Sequence, residues 1–162
     1  NDGFNTGSDC LYSGTVAGAL EGIFAGIPSM AVSMESMTDG TLLRETAAFA
    51  ADLVSGYFMK KRYTGILNVN IPKIKPEKVS WENVKVARLG LLRYSNVIAG
   101  KRTKADEMEF IMRGKPLERY EPETDVYWSR KGYITITPLQ WNQTDFENLR
   151  EVGKLTAVFI DA

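Results

Sequence analysis

The opening stretch NDGFNTGSDCLYSGTVAGALEGIFAGIPSMAVSM restricts the fold more than any other part of the chain. Residues 1–10 have no apolar period and are rich in Gly, Asn, Asp and Ser, which is loop chemistry. From Gly14 to Ala25, Val16, Ala19, Leu20, Ile23 and Phe24 recur at helical spacing, with Ser13 placed as N-cap. Gly26 and Pro28 then stop the helix. Ile27 to Met34 is short, apolar and strand-like. A loop that feeds a helix, followed at once by a buried strand, is half of a βαβ unit.

The pattern continues downstream. Thr41 to Tyr57 predicts a second helix with Leu43, Ala47, Ala50, Leu53, Val54 and Tyr57 on its apolar side. Gly65 to Pro72 predicts a strand in which Ile66, Leu67, Val69 and Ile71 are interleaved with Asn68 and Asn70 and which stops at proline. Val84 to Leu89 and Gly132 to Leu139 predict further strands. Arg93 to Tyr127 is polar and punctuated by Gly100, Gly114, Pro116 and Pro122, as in a long hairpin or arm. Thr144 to Val152 predicts a short helix with Thr144 and Glu147 in capping-box spacing. LTAVFI near the end reads as a last strand or a tail seeking a partner chain. Alternating helix and strand in the first half imply a parallel α/β sheet; the second half is β-rich and without crossover helices. The expected division is an α/β part over 1–92 and a β-rich arm and oligomerisation segment over 93–162. The first half supplies fewer strands than such a sheet needs, so an N-terminal βαβ portion is expected upstream.

Composition removes several chemistries. The 162 residues include no histidine and a single cysteine, Cys10, so Ser–His–Asp, Cys–His and thiolate or histidine zinc sites are excluded. Any metal would be held by hard oxygen donors, hence Mg²⁺, Mn²⁺ or Ca²⁺. Twenty basic and twenty acidic residues cancel, which predicts neither a nucleic-acid polymer nor a membrane as partner. One unpaired cysteine leans towards a cytoplasmic location.

The first turn of a helix presents unpartnered N–H groups and partial positive charge. With Ser13, Gly14 and Thr15 at that turn, a phosphoryl group has backbone donors, two hydroxyls and no side-chain bulk in its way. The amides of Asn1 and Asn5 extend the arrangement, one oxygen toward a divalent ion, one NH₂ toward phosphate. The same residue types also make an ordinary turn and N-cap, so spacing alone leaves both readings open. The basic run Lys101, Arg102 and Lys104 reads as a solvated turn, and Trp81, Trp128 and Trp141 as packing.

The pattern N-x-G-x-N-x-G-x-D-x-x-Y-S-G-T-V-x-G-A-x-E-G over Asn1 to Gly22 resembles the SurE family of stationary-phase survival proteins. The resemblance continues through GIPSMAVS, LNVNIP, RLGLLRY and TDVYWSRKGYITITPL. It implies a metal-dependent 5′/3′-nucleotidase with acid phosphatase activity on nucleoside monophosphates, using Mg²⁺ or Mn²⁺. The implied fold is a Rossmann-like three-layer αβα sheet with a β-rich C-terminal extension that builds homodimers or homotetramers. The implied roles are Asn1 as metal ligand and Asn5, Ser13, Gly14 and Thr15 as phosphate-binding residues, with Asn5, Ser13 and Thr15 catalytic. The family's Asp-Asp pair and serine ligand are expected upstream of Asn1, so the fragment alone is expected to be inactive. The alternative is a non-catalytic phosphate- or nucleotide-binding oligomerisation module.

Overall fold

The computed structural model describes residues 1–60, 63–95, 98–104, 106–112, 114–117 and 119–154. The segment LTAVFI (155–160) lies outside them.

After the opening loop and a 3-10 turn (Gly7–Tyr12), helix α1 (Gly14–Phe24) leads into strand β1 (Ser29–Met34). Helix α2 (Gly40–Leu53) follows and widens into a π-helical segment (Val54–Lys60) before strand β2 (Ile66–Ile71). Strand β3 (Val84–Val86) is shorter than the predicted Val84 to Leu89, with only an isolated bridge at Arg88 beyond it. The arm contains β4 (Tyr94–Ser95), β5 (Ile98–Lys104), β6 (Glu107–Met112) and β7 (Lys115–Pro116). Helix α3 (Asp125–Arg130), strand β8 (Ile134–Leu139) and helix α4 (Leu149–Gly153) complete the described chain.

The main sheet has the order β1-β2-β8-β3. β1 and β2 are parallel, β8 runs antiparallel to β2, and β3 is parallel to β8. Side chains alternate across it. One face carries Met34, Leu67, Val69, Ile71, Ile134 and Ile136 against Leu42, Phe49 and Leu53 of α2. The opposite face places Ala31 and Ile66 under Val16 and Ala19 of α1, and α3 packs beside it on β8 and β3. Helices on both faces give the three-layer αβα arrangement that the sequence predicts.

β1 ends the sheet. Its outer edge is joined only at its C-terminal end, where the Asn1 amine donates to Val32 O (3.0 Å), Met34 N–H to Asn1 O (3.0 Å) and Gly3 N–H to Met34 O (2.7 Å). Upstream of Val32 that edge has no strand partner among the described residues.

Three expectations are corrected. The buried stripe of α2 is Leu42, Thr46, Phe49 and Leu53, one position away from the predicted alanine-rich face. Bulky Leu42 and Phe49 fill the space over β2 better than Ala47 and Ala50 do, so burial follows them. Helix α3 does cross between β3 and β8; Thr124 caps it by accepting from Tyr127 N–H (3.3 Å). The helix predicted from Thr144 starts only at Leu149, because the Asp145 carboxylate accepts from both the backbone and the side chain of Asn148 and holds a turn there. The polar residues of β2, Asn68 and Asn70, are fully buried.

The β5–β6 hairpin is a separate two-stranded sheet, with Ile98, Met108 and Phe110 exposed. Lys101, Arg102 and Lys104 lie on it in solvent, Lys104 paired with Glu107. Trp81 packs on Phe49 (4.7 Å between centroids) and Trp141 on Phe24 (6.2 Å), and Lys85 lies over the ring of Trp128 (4.7 Å), which matches their reading as packing residues. Among the described residues no helix is long and apolar enough to cross a membrane.

Candidate phosphate site at the start of α1

Helix α1 returns the chain to the start of β1, so the two run antiparallel and the N-terminus of α1 lies toward the carboxyl end of β1. Eleven helical residues cover about 16 Å, close to the roughly 20 Å of a six-residue strand. The opening loop is held at that same end, by Met34 at the end of β1 and by Asn70 near the end of β2. Ligands of open α/β sheets bind beyond the carboxyl ends of the parallel strands.

Ser13 Oγ accepts from Val16 N–H (3.1 Å), and Ser13 O accepts from Ala17 N–H (2.9 Å). The cap therefore uses the Val16 donor and leaves those of Gly14 and Thr15 without a partner among the described residues. As an acceptor in the cap, Ser13 Oγ still has its own proton to donate. A Cβ built on Gly14 meets nothing within 4 Å, so the approach to these donors is open. Thr15 is half-buried on the same turn. Ser13, Gly14 and Thr15 thus form one donor surface.

Asn5 is buried and built into the sheet. Its N–H donates to Asn70 Oδ1 (2.9 Å) and its Nδ2 to Ser33 Oγ (2.6 Å). Its carbonyl accepts from Asn68 Nδ2 (2.7 Å), Asn70 Nδ2 (3.2 Å) and Cys10 Sγ (3.1 Å). One amide proton of Asn5 is therefore committed to Ser33.

Asn1 is exposed, and its Nδ2 donates to Gly3 O (3.0 Å). With the donor end of the amide tied down, its oxygen is the free end, which fits a hard cation as one ligand. Among the described residues no three His, Cys, Asp or Glu side chains lie close enough to hold a metal ion.

The 3-10 turn between Asn5 and Ser13 is fixed by Asp125, which the sequence marks only as part of the TDVYWSR stretch. Its carboxylate accepts from Gly7 N–H, Gly90 N–H and Val126 N–H, each at 2.8 Å. Burial raises its pKa above the usual carboxylate range, against the pull of those donors. Gly7 has φ +54°, and a Cβ there would lie 2.5 Å from Gly90 O. Burial, reinforced by Asp125 and Asp9, pushes the Cys10 thiol up to about 12, so it stays protonated and inert. Ser33, Asn70 and Asp125 were missed as site-building residues; polar side chains inside the otherwise apolar LNVNIP strand were the available signal.

A groove of about 910 Å³ lies along α1 and the end of β8, with Ser13 among its lining residues. Leu11, Val16, Leu20 and Leu139 make its walls mainly apolar.

The family model described as "Survival protein SurE" matches residues 1–96. A 5′-nucleotidase SurE of Pelotomaculum thermopropionicum is 36% identical over 163 residues, which cover 96% of this chain and 58% of that protein. A 5′-nucleotidase SurE of Syntrophomonas wolfei is 34% identical over 98% of this chain and 60% of its own length. The crystal structure of SurE from Aquifex aeolicus superposes with a TM-score of 0.78 at 30% identity, covering 96% of this chain and 62% of that one. The chain therefore spans about three fifths of the length of the relatives it matches. With its αβα layers and the Asn-Gly loop that feeds a capped helix, this chain belongs to the SurE family.

Proposed function

We propose that the chain carries the phosphate-holding part of a metal-dependent 5′/3′-nucleotidase, an acid phosphatase acting on nucleoside monophosphates. The observation that carries the reading is the open start of α1, where Gly14 and Thr15 N–H groups are unpartnered and Ser13 has a proton to donate. The phosphoryl oxygens sit against these donors, which stabilise charge as it develops. The helix dipole adds about 0.3–1 kcal/mol, and up to ~2 where partly buried. Asn5, anchored through Ser33 and Asn70, sets the depth of the loop, and its remaining amide proton is directed to phosphate. Asn1 offers its side-chain oxygen to Mg²⁺ or Mn²⁺. When bound, the divalent ion supplies polarisation of the phosphoryl group. Among the described residues no group of three His, Cys, Asp or Glu side chains joins Asn1 around it, and the 162 residues alone are proposed to bind phosphate without turnover.

The same observation supports a second reading, a phosphate-binding module that assembles but does not catalyse. The isolated β5–β6 hairpin favours assembly in either case. A lone two-stranded ribbon is marginal in water, and Ile98, Met108 and Phe110 are left uncovered. A second copy of the chain is the proposed cover, in a homodimer or homotetramer. The single thiol, protonated and buried, supports a reducing compartment, the cytoplasm.

The test is release of phosphate from nucleoside monophosphates by the complete protein, with Mg²⁺ or Mn²⁺ and again after EDTA. Chelation is expected to abolish turnover. Turnover that persists in EDTA counts against the metal; binding of phosphate without turnover selects the second reading.

A further inference from the structure

Three consecutive residues of the anion loop are tied to three alternate residues at the root of the arm. Gly7 shares Asp125 with Gly90, each donating its N–H to one carboxylate oxygen at 2.8 Å. Ser8 Oγ donates to Leu92 O (3.0 Å) and accepts from Leu92 N–H (3.1 Å). The Asp9 carboxylate accepts from the Tyr94 hydroxyl. Gly90 and Leu92 make these contacts through their backbone and Tyr94 through its side chain, while Leu91 and Arg93 between them are exposed.

Asn5, before this stretch, is held by the sheet through Ser33 and Asn70. Ser13, after it, is held by helix α1. Among the described residues, residues 7–9 between them have hydrogen-bond partners beyond the turn itself only in Asp125, Leu92 and Tyr94. Tyr94 opens β4, which pairs with β7 at the base of the hairpin. Cys10 closes the far end of the turn, its Sγ bonded to Asn5 O and its carbonyl to Ser13 N–H, while the stretch ahead of it, residues 7–9, is positioned from the root of the arm.

We propose that Gly90–Tyr94 is a positioning strap for the anion loop, so that filling the phosphate site and seating the arm stabilise each other. The inference rests on the phosphate-site reading above. Linkage makes the effect reciprocal: if the strap raises phosphate affinity, phosphate tightens the strap by the same factor. Ser8 and Tyr94 are positioning residues and do not touch the reacting atoms.

The test uses the complete protein with Mn²⁺ and inorganic phosphate as probe, in Ser8→Ala, Tyr94→Phe and a control, Ile134→Val, on the far face of the sheet. The expected result is a rise in half-saturating phosphate of about tenfold for Ser8→Ala and about fivefold for Tyr94→Phe, within the usual span of coupling. The control stays within about twofold of wild type, the margin that separates it from the weakest usual coupling. In hydrogen exchange, phosphate is expected to slow the Leu92 amide in wild type and to have no such effect in Tyr94→Phe. Tyr94→Phe removes only a half-exposed hydroxyl, so it remains a test if Ser8→Ala does not fold. Wild type that binds phosphate while both variants match the control overturns the strap and leaves the site reading standing. Wild type that neither binds nor hydrolyses phosphate esters overturns the site reading, and the strap with it.

Discussion

Replacing Gly7 by alanine is the sharpest test of how the opening loop is built. The residue sits at φ +54°, where an L side chain is strained by roughly 1–2 kcal/mol. Its Cβ would lie 2.5 Å from Gly90 O and 2.8 Å from Val126 Cγ2, and the nearer atom is backbone. Relief requires the loop to move away from Gly90, which breaks the Gly7 bond to the Asp125 carboxylate. A hydrogen bond to a charged group is worth about 1.5–3 kcal/mol. Together the two terms come to about 2.5–5 kcal/mol, a large share of the roughly 5–15 kcal/mol that holds a domain folded. In thermal terms this is a drop on the order of 10 °C for a chain of this size. Urea denaturation followed by circular dichroism measures it, with Gly14→Ala as comparator. A Cβ on Gly14 meets nothing, and the position is helical, so stability should hold or rise by up to about 1 kcal/mol. Phosphate binding should nonetheless weaken, because the methyl group crowds the donors. A loss below about 1 kcal/mol for Gly7→Ala would show that Gly90 yields freely and that the close approach carries no constraint.

Ser13→Ala should cost about 1 kcal/mol through loss of the cap and should weaken phosphate binding more than an exposed serine elsewhere; calorimetry of both quantities checks it. Cys10 should resist iodoacetamide at pH 8 in the native protein and react on unfolding, since its thiol is pushed up to about 12; native modification at the rate of free cysteine would contradict the burial. Asp125 should give a pH dependence of a definite sign. Its native pKa is raised, so the folded state holds the proton more tightly than the unfolded chain. The stability linked to it is then fully present below about pH 4 and lost as pH climbs through the native pKa. Wild type minus Asp125→Asn, in urea midpoints between pH 4 and 7, should fall with rising pH; a rise would mean that the three N–H donors outweigh desolvation. In the complete protein Asn1→Ala should raise the Mn²⁺ concentration needed for turnover, and an unchanged metal requirement would remove Asn1 from the ligand set.

Local chemistry made part of this structure legible. Helix α1, its Ser13 cap, β1 and β2 follow from apolar spacing and Gly-Pro punctuation, and appear within a residue or two of the expected bounds. The buried side of α2 was misplaced because periodicity does not weigh volume, and Phe49 outweighs two alanines. Helix α3 is only six residues long, too short for its period to show. Of the candidate site, the donor surface at Ser13–Thr15 was readable because helix starts have a fixed chemistry. The partners of Asn5 and Gly7 were not, since they come from 28 to 118 residues away. Polar side chains in a central strand hint at such partners without naming them.

The outer margin of β1 has a practical consequence for anyone handling this chain. Where a parallel sheet stops without a neighbour, the outward amides of a mostly apolar strand act as a template for any extended chain nearby. The 162 residues should therefore self-associate as concentration rises, by adding strand to strand at Ser29–Val32. A lysine in place of Ile27, which is exposed just ahead of that strand, should raise the solubility limit and leave the helical circular dichroism signal unchanged.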